Sequence, residues 1–158
     1  RPPSRLLERG ARGFEFDPAH HRLLVWQKDR IGVVDLLQGR KRAAEEPNHL
    51  PAIRWIFTHG TSIEQAFWVY EGSHVLLLDD SHMILLALET YGAPHEYRLV
   101  PVKRGSAIWY AEAHGTVYYL EPTHGRLTAL QLLPHRALLP LPLPEWEETG
   151  SARPEASR

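Results

Sequence analysis

Residues 116–126 read TVYYLEPTHGR: a short apolar run, an acidic residue, then a turn closing on Gly125. The run is rich in aromatic and β-branched side chains that suit a pleated strand, and Pro122, Thr123 and Gly125 punctuate its end. The pattern recurs. Residues 30–40, RIGVVDLLQGR, carry Asp35 and Gly39 where Glu121 and Gly125 stand later, and residues 74–80, HVLLLDD, hold the same relation to their neighbours. Leu23 and Phe67 lie 44 positions apart, as do Asp35 and Asp79. Asp79 and Glu121 lie 42 apart, as do Ser81-His82 and Thr123-His124. Three copies of one unit are the main fact in this chain.

Working outward, each copy divides into four strand-length segments separated by Gly, Asp and His turns. The first unit, about 13–46, offers GFEFD, RLLVWQ and IGVVDL, then the polar 40–46, RKRAAEE, as an exposed outermost strand. The second, about 52–92, opens after Pro47 and Pro51 with AIRWIFT (52–58), followed by 66–71, 75–78 and the apolar MILLALE (83–89). The third, about 95–133, runs from EYRLVPV (96–102) through 108–111 and 117–120 to 126–132. A helical solenoid of similar period fails, because the segments are short, rich in aromatic and β-branched residues, and broken by turns. The predicted class is all-β, with three four-stranded antiparallel units. Apolar residues at successive positions of the middle strands imply burial on both faces.

FEFDP followed by RLLVWQKDRIGVVDLLQGR resembles a blade of the WD-repeat family, and AIWYAEAHGTVYYLEPTHGRLTALQ is similar to blades of quinoprotein-like propellers. The period agrees with the roughly 40–45 residues of a four-stranded blade. The resemblance covers about 13–133 and departs from the WD pattern in places. The third strands end Val34-Asp35, Leu78-Asp79 and Leu120-Glu121, without a Trp-Asp pair, and no quinone-binding constellation is visible. It implies blade-like repeats belonging to an incomplete or partner-completed β-propeller. Closed propellers have about four to eight blades, so three do not close, and the missing ones are expected from a longer parent chain, a partner protein or self-association.

At 158 residues, with 43% hydrophobic and 23% charged residues, one domain with a real core is the expectation. The net charge of −1 offers no global electrostatic case for nucleic acid or an anionic membrane surface. Cysteine is absent, which removes disulfides, thiolate chemistry and Cys-bearing zinc sites. No apolar run approaches the roughly 20 residues of a membrane helix, so no membrane span is expected. The start, RPPSRLLERG, with no initiator Met and no apolar signal core, suggests a processed chain or a piece of a longer one, with the cytoplasm favoured as its compartment. Residues 1–12 read as a basic arm. Residues 134–158 read as a tail, Leu-Pro alternating and then acidic, extended because proline cannot continue a ladder.

Chemistry-bearing residues are sparse. If the turns share one face, His20, His21, His59, His82 and His124 gather there, and His59, His82 and His124 are the candidate metal ligands. Solvated turn histidines are the favoured reading, because blades separate equivalent turns around a ring. Asp79-Asp80, adjacent on a strand end, point to opposite faces and suit turn formation rather than acid–base work. The Trp and Tyr residues Trp26, Trp55, Trp68, Trp109 and Tyr118 read as inter-blade core. No phosphate-cradling loop, nucleophile elbow or dinucleotide fingerprint occurs, and no cofactor is implied. The leading functional expectation is a protein–protein interaction scaffold, a propeller-like domain or part of one inside a larger assembly. Its expected contacts are the exposed faces, Met83, Ile84 and Leu86 of the apolar strand, and Leu141, Leu143 and Trp146 of the tail. The alternative is a ligand- or metal-binding enzyme propeller with its site on the His-rich turn face.

Overall fold

The computed structural model describes residues 8–38, 51–88 and 92–132. Among them the fold is all-β, in three antiparallel sheets of four, four and three strands. The first sheet is the meander β1 (Gly13–Asp17), β2 (Arg22–Trp26), β3 (Ile31–Asp35) and β4 (Ile53–Phe57). The second is β5 (Ile63–Val69), β6 (His74–Asp79), β7 (His82–Ala87) and β8 (His95–Pro101), again in chain order. The third holds β9 (Trp109–Ala111), β10 (Thr116–Leu120) and β11 (Leu127–Gln131), with a 3-10 turn at Glu112–His114 inside the β9–β10 connection.

The strands stand where alternation and turn residues place them, but their grouping differs from the expected one. Residues 53–57, expected to open the second unit, pair with β3 and close the first sheet, with Val34 opposite Ile53. Residues 95–101, expected to open the third, pair with β7 and close the second sheet, with Leu85 opposite Tyr97. The third sheet is therefore three-stranded among the described residues, not four-stranded. The matched spacing of 44 equates β2 with β5 at Leu23 and Phe67, a shift of one strand. A meander repeats strand–turn–strand in any frame, so local pattern does not say which turn leaves a sheet. The Pro-bearing stretch before β4 joins two strands of one sheet, whereas the tight connection 58–62 passes between sheets. That connection is pinned by the Gly60 N–H on the Asp29 carbonyl (2.8 Å) and the Ile63 N–H on the Lys28 carbonyl (2.7 Å). The polar segment 40–46 lies outside the described residues.

The sheets stack through two apolar layers. Leu24, Ile31, Val33 and Phe57 of the first sheet meet Ile63, Ala66, Val75, Leu77, Ile84 and Leu86 of the second. On the opposite side, Val69, Leu76, Leu78 and Met83 meet Ile108 and Val117, with Tyr110, Tyr119 and Leu130 packed around them. Side chains alternate across a strand, so β6 sends Val75 and Leu77 into one layer and Leu76 and Leu78 into the other. Full burial of such a side chain contributes about 1.5–3 kcal/mol, which makes the middle sheet the centre of stability.

The apolar strand β7 shares that position. Met83 is 0% exposed, Ile84 2% and Leu86 1%, so the three expected partner contacts are spent on the chain's own cores. This corrects the expected docking strand: β8 covers the edge of β7, and sheets cover both its faces.

Candidate functional site

The two junctions are built from the same device in different chemistry. At the first, the Trp68 N–H of β5 donates to the Glu15 carboxylate of β1 (2.7 Å). At the second, the Ile108 N–H before β9 donates to the Gln65 carboxamide oxygen of β5 (2.8 Å). The first strand of one sheet thus accepts a backbone donor from the next sheet.

The first junction adds a charged lock. Arg22 Nη2 donates to Asp17 Oδ2 (2.7 Å) and to the Gly72 carbonyl (2.7 Å), and its guanidinium lies 4.5 Å from the Trp68 ring centroid. His20 adds its N–H (3.1 Å) and Nδ1 (2.9 Å) to the same carboxylate. The Gly72 turn holds Tyr70, Glu71 and Gly72 at φ of 53°, 54° and 74°, a left-handed run that costs a bulky residue and that the Ser73 hydroxyl on the Tyr70 carbonyl (2.7 Å) helps hold. Burial alone raises the Asp17 carboxyl, but the bonds from Arg22 and His20 outweigh it and hold it below the usual carboxylate range. Glu15 goes the other way. Burial pushes it up, the Trp68 N–H offsets part of this, and the Glu112 and Asp17 charges add to the rise. Burial also pushes the Tyr70 phenol up to about 12, with Tyr110 contributing.

Asp79 closes the entry to the second sheet, taking the N–H of Thr61 (2.9 Å) and of Ser62 (2.6 Å). Asp35 takes those of Leu37 and Gln38, both at 2.9 Å. Asp80 holds the exposed Arg104 (2.8 Å). Only Asp35 caps its own turn; Asp79, expected as a turn former, instead holds the inter-sheet connection 17–18 residues earlier, and Asp80 pairs with Arg104.

The histidines do not converge. His59 pairs with Glu96 (2.9 Å), His124 lies 3.6 Å from Glu121, and His20 belongs to the Asp17 lock. His82 sits in β7 opposite Asp79. Among the described residues no group of three or more His, Asp or Glu side chains is arranged to hold a metal ion. Leu141, Leu143 and Trp146 lie outside the described residues. No described helix is long and apolar enough to cross a membrane.

What remains conspicuous is the outside of the stack. The face of the first sheet turned away from the second carries exposed Phe14 and Phe16 of β1, while Val25 of β2 and Val34 of β3 on the same face are buried, and the Arg30 guanidinium lies 4.1 Å from the ring of Trp55 of β4. The face of the third sheet turned away from the second carries Trp109, Tyr118, Leu120, Leu127 and Ala129. Phe14 is 71% exposed, Trp109 64% and Leu127 72%, and the Trp109 ring lies 5.5 Å from that of Tyr118. The register puts no charged strand residue on either face. The buried face of the first sheet, by contrast, carries Glu15, Asp17 and Arg22. Trp26 and Trp68 pack on the first core as expected, but Trp109 does not: it is displayed. Phe14 and Phe16 stand in the sequence as the alternating apolar positions of the first strand, and Leu127 as part of the last, none of them as an exposed contact. The available signal was alternation, since every second position of β1 and β11 is uncharged on the side that no later sheet covers.

Comparison with protein-family models finds no matching family, and comparison with curated proteins finds no match.

Proposed function

We propose that this chain is an interaction scaffold: three consecutive sheets of a propeller-like stack that bind further protein through their outer faces. One observation carries the reading. Large apolar side chains stand exposed at both ends of the stack, Phe14 and Phe16 on the first sheet and Trp109 and Leu127 on the third. Contiguous exposed apolar faces on a folded protein mark interaction surfaces. The blade resemblance supports the same reading, because the three sheets of the described residues are fewer than the about four to eight of a closed propeller.

The test is hydroxyl-radical footprinting of the protein in its native assembly and as the isolated chain. Phe14, Phe16, Trp109 and Leu127 are expected to be protected in the assembly. Tyr97 of β8, which is exposed but not on either outer face, serves as the internal reference. Equal labelling of the outer faces in both states overturns the scaffold reading.

A further inference from the structure

We propose that residues 139–144, LPLPLP, form the fourth strand of the third sheet, pairing antiparallel with β11 and sealing its open edge. The inference stands independently of the scaffold reading. In each of the first two sheets the third strand is covered by a fourth, β4 on β3 and β8 on β7. β11 holds the third place in its sheet, and no described strand lies beyond it. Exposure follows: β3 and β7 are mostly buried, whereas Leu127, Ala129 and Gln131 of β11 are exposed. In an antiparallel ladder a residue turns its N–H and C=O to the same neighbour, and the next residue turns both the other way. The Leu132 N–H donates to the Gly115 carbonyl (3.0 Å) and the Glu121 N–H to the Arg126 carbonyl (2.9 Å), so even-numbered positions face β10. Leu127, Ala129 and Gln131 therefore turn their backbone groups to the open edge.

The chain after β11 carries the matching phase. Leu139, Leu141 and Leu143 keep their N–H groups at every second position, and Pro140, Pro142 and Pro144 lack one at the positions between. A central strand cannot accept that pattern, but an outermost strand can, because only every second N–H faces its neighbour. The prolines then face outward, where they bar a further strand from adding. All three leucines precede a proline, which biases them to extended backbone. A polyproline helix, with about three residues per turn, gives the alternation no common side. Spacing agrees as well. The Leu88 N–H donates to the Ser73 carbonyl (3.0 Å) as Leu132 does to Gly115, and Ala87 pairs with His95 eight positions on. The same step from Gln131 reaches Leu139, placing Ala129 opposite Leu141 and Leu127 opposite Leu143. Opposed residues share a face, so these leucines extend the outer face that carries Trp109 and Leu127.

The test is amide hydrogen exchange by NMR on the protein and on its Leu141→Pro and Pro142→Leu variants. The first substitution puts a ring where an N–H would bond the Ala129 carbonyl, and the second adds an N–H on the outward side. The expected result is protection of the Leu127, Ala129 and Gln131 N–H groups, lowered more than about tenfold by Leu141→Pro and unchanged by Pro142→Leu. Thr128 and Leu130, which face β10, and Leu77 of β6 serve as references for the intact fold. Unprotected edge groups in the unaltered protein, or protection indifferent to Leu141→Pro, overturn the proposal. Protection that rises with protein concentration also overturns it, because the edge is then paired by a second copy.

Discussion

The first and second sheets meet across a charged seam, with Asp17, His20 and Arg22 gripping the Gly72 turn and Glu15 capping the Trp68 N–H. The second and third meet across a neutral one, where Gln65 does for Ile108 what Glu15 does for Trp68, and Tyr70, Tyr110 and Tyr119 ring the core. Both seams are built on buried aliphatic side chains, the first on the larger set. The difference lies in what happens at the rim, and it teaches that stacking is driven by apolar burial while polar groups set the register of one sheet on the next. The charged seam is consequently the pH-sensitive one.

The largest test cuts both seams at their shared strand. Leu77→Ala opens the first core and Leu76→Ala the second, each expected to cost about 2–5 kcal/mol in urea denaturation. A single transition shifted by either substitution means that the seams melt together, and a second transition in one variant separates them. Next comes Gly72→Ala. A Cβ there meets the Arg22 guanidinium and comes within 2.6 Å of Asp17 Oδ2, at a φ of +74°. The expected cost is about 1–3 kcal/mol, with faster hydrogen exchange at the Trp68 N–H and none of that acceleration at Ile108. Gly105→Ala is the control, since its φ is +71° but no atom lies within 4 Å of the added carbon. An equal loss in both would mean backbone strain alone explains Gly72.

Asp17→Asn is expected to cost about 1–3 kcal/mol at neutral pH, because Arg22 loses its charged partner in a mostly buried site. The Asp17 carboxyl is held below its unfolded value, so its contribution is present above the ordinary aspartate pKa and is lost as pH falls through the folded one. The substitution should therefore flatten the acid limb of the stability curve, and an unchanged limb would remove Asp17 from the lock. The smallest effect is expected from Glu15→Gln, which gives the first seam the acceptor used by the second. Glu15 is raised in the fold, so its favourable contribution is present below the ordinary glutamate pKa and is lost as pH rises through the folded one. The carboxamide keeps the Trp68 bond without that loss, and the variant should melt slightly higher at pH 7 and no higher in acid. A lower melting point at pH 7 would show that the ionised carboxylate itself holds the seam.

Strand positions were legible because a pleated strand writes its period into the chain. HVLLLD, TVYYL and IGVVD are read correctly from apolar and β-branched runs between Gly, Asp and His turns. The start of β5 was missed by three residues, where Glu64 and Gln65 break the apolar run and the pairing with β6 shifts register. Asp35 was legible as a turn former, since a side-chain acceptor at a strand end has the next backbone donors within reach, but the Asp79 contacts were not, because its donors Thr61 and Ser62 come from another connection. The fate of MILLALE was not. An all-apolar strand reads alike whether it waits for a partner or already has sheets on both sides, and only the pairing of β8 against β7 decides between them.

The sequence by itself determined an all-β chain of strand–turn–strand units with both faces of its central strands apolar, because alternation and turn chemistry act over a few neighbouring residues. The tertiary structure alone decided where one sheet ends and the next begins, and so which apolar side chains, Phe14, Phe16, Trp109 and Leu127 among them, stay exposed. Those are matters of pairing and stacking between distant segments. The Ile63 N–H on the Lys28 carbonyl and the Trp68 N–H on Glu15 are such contacts, and no local pattern carries them.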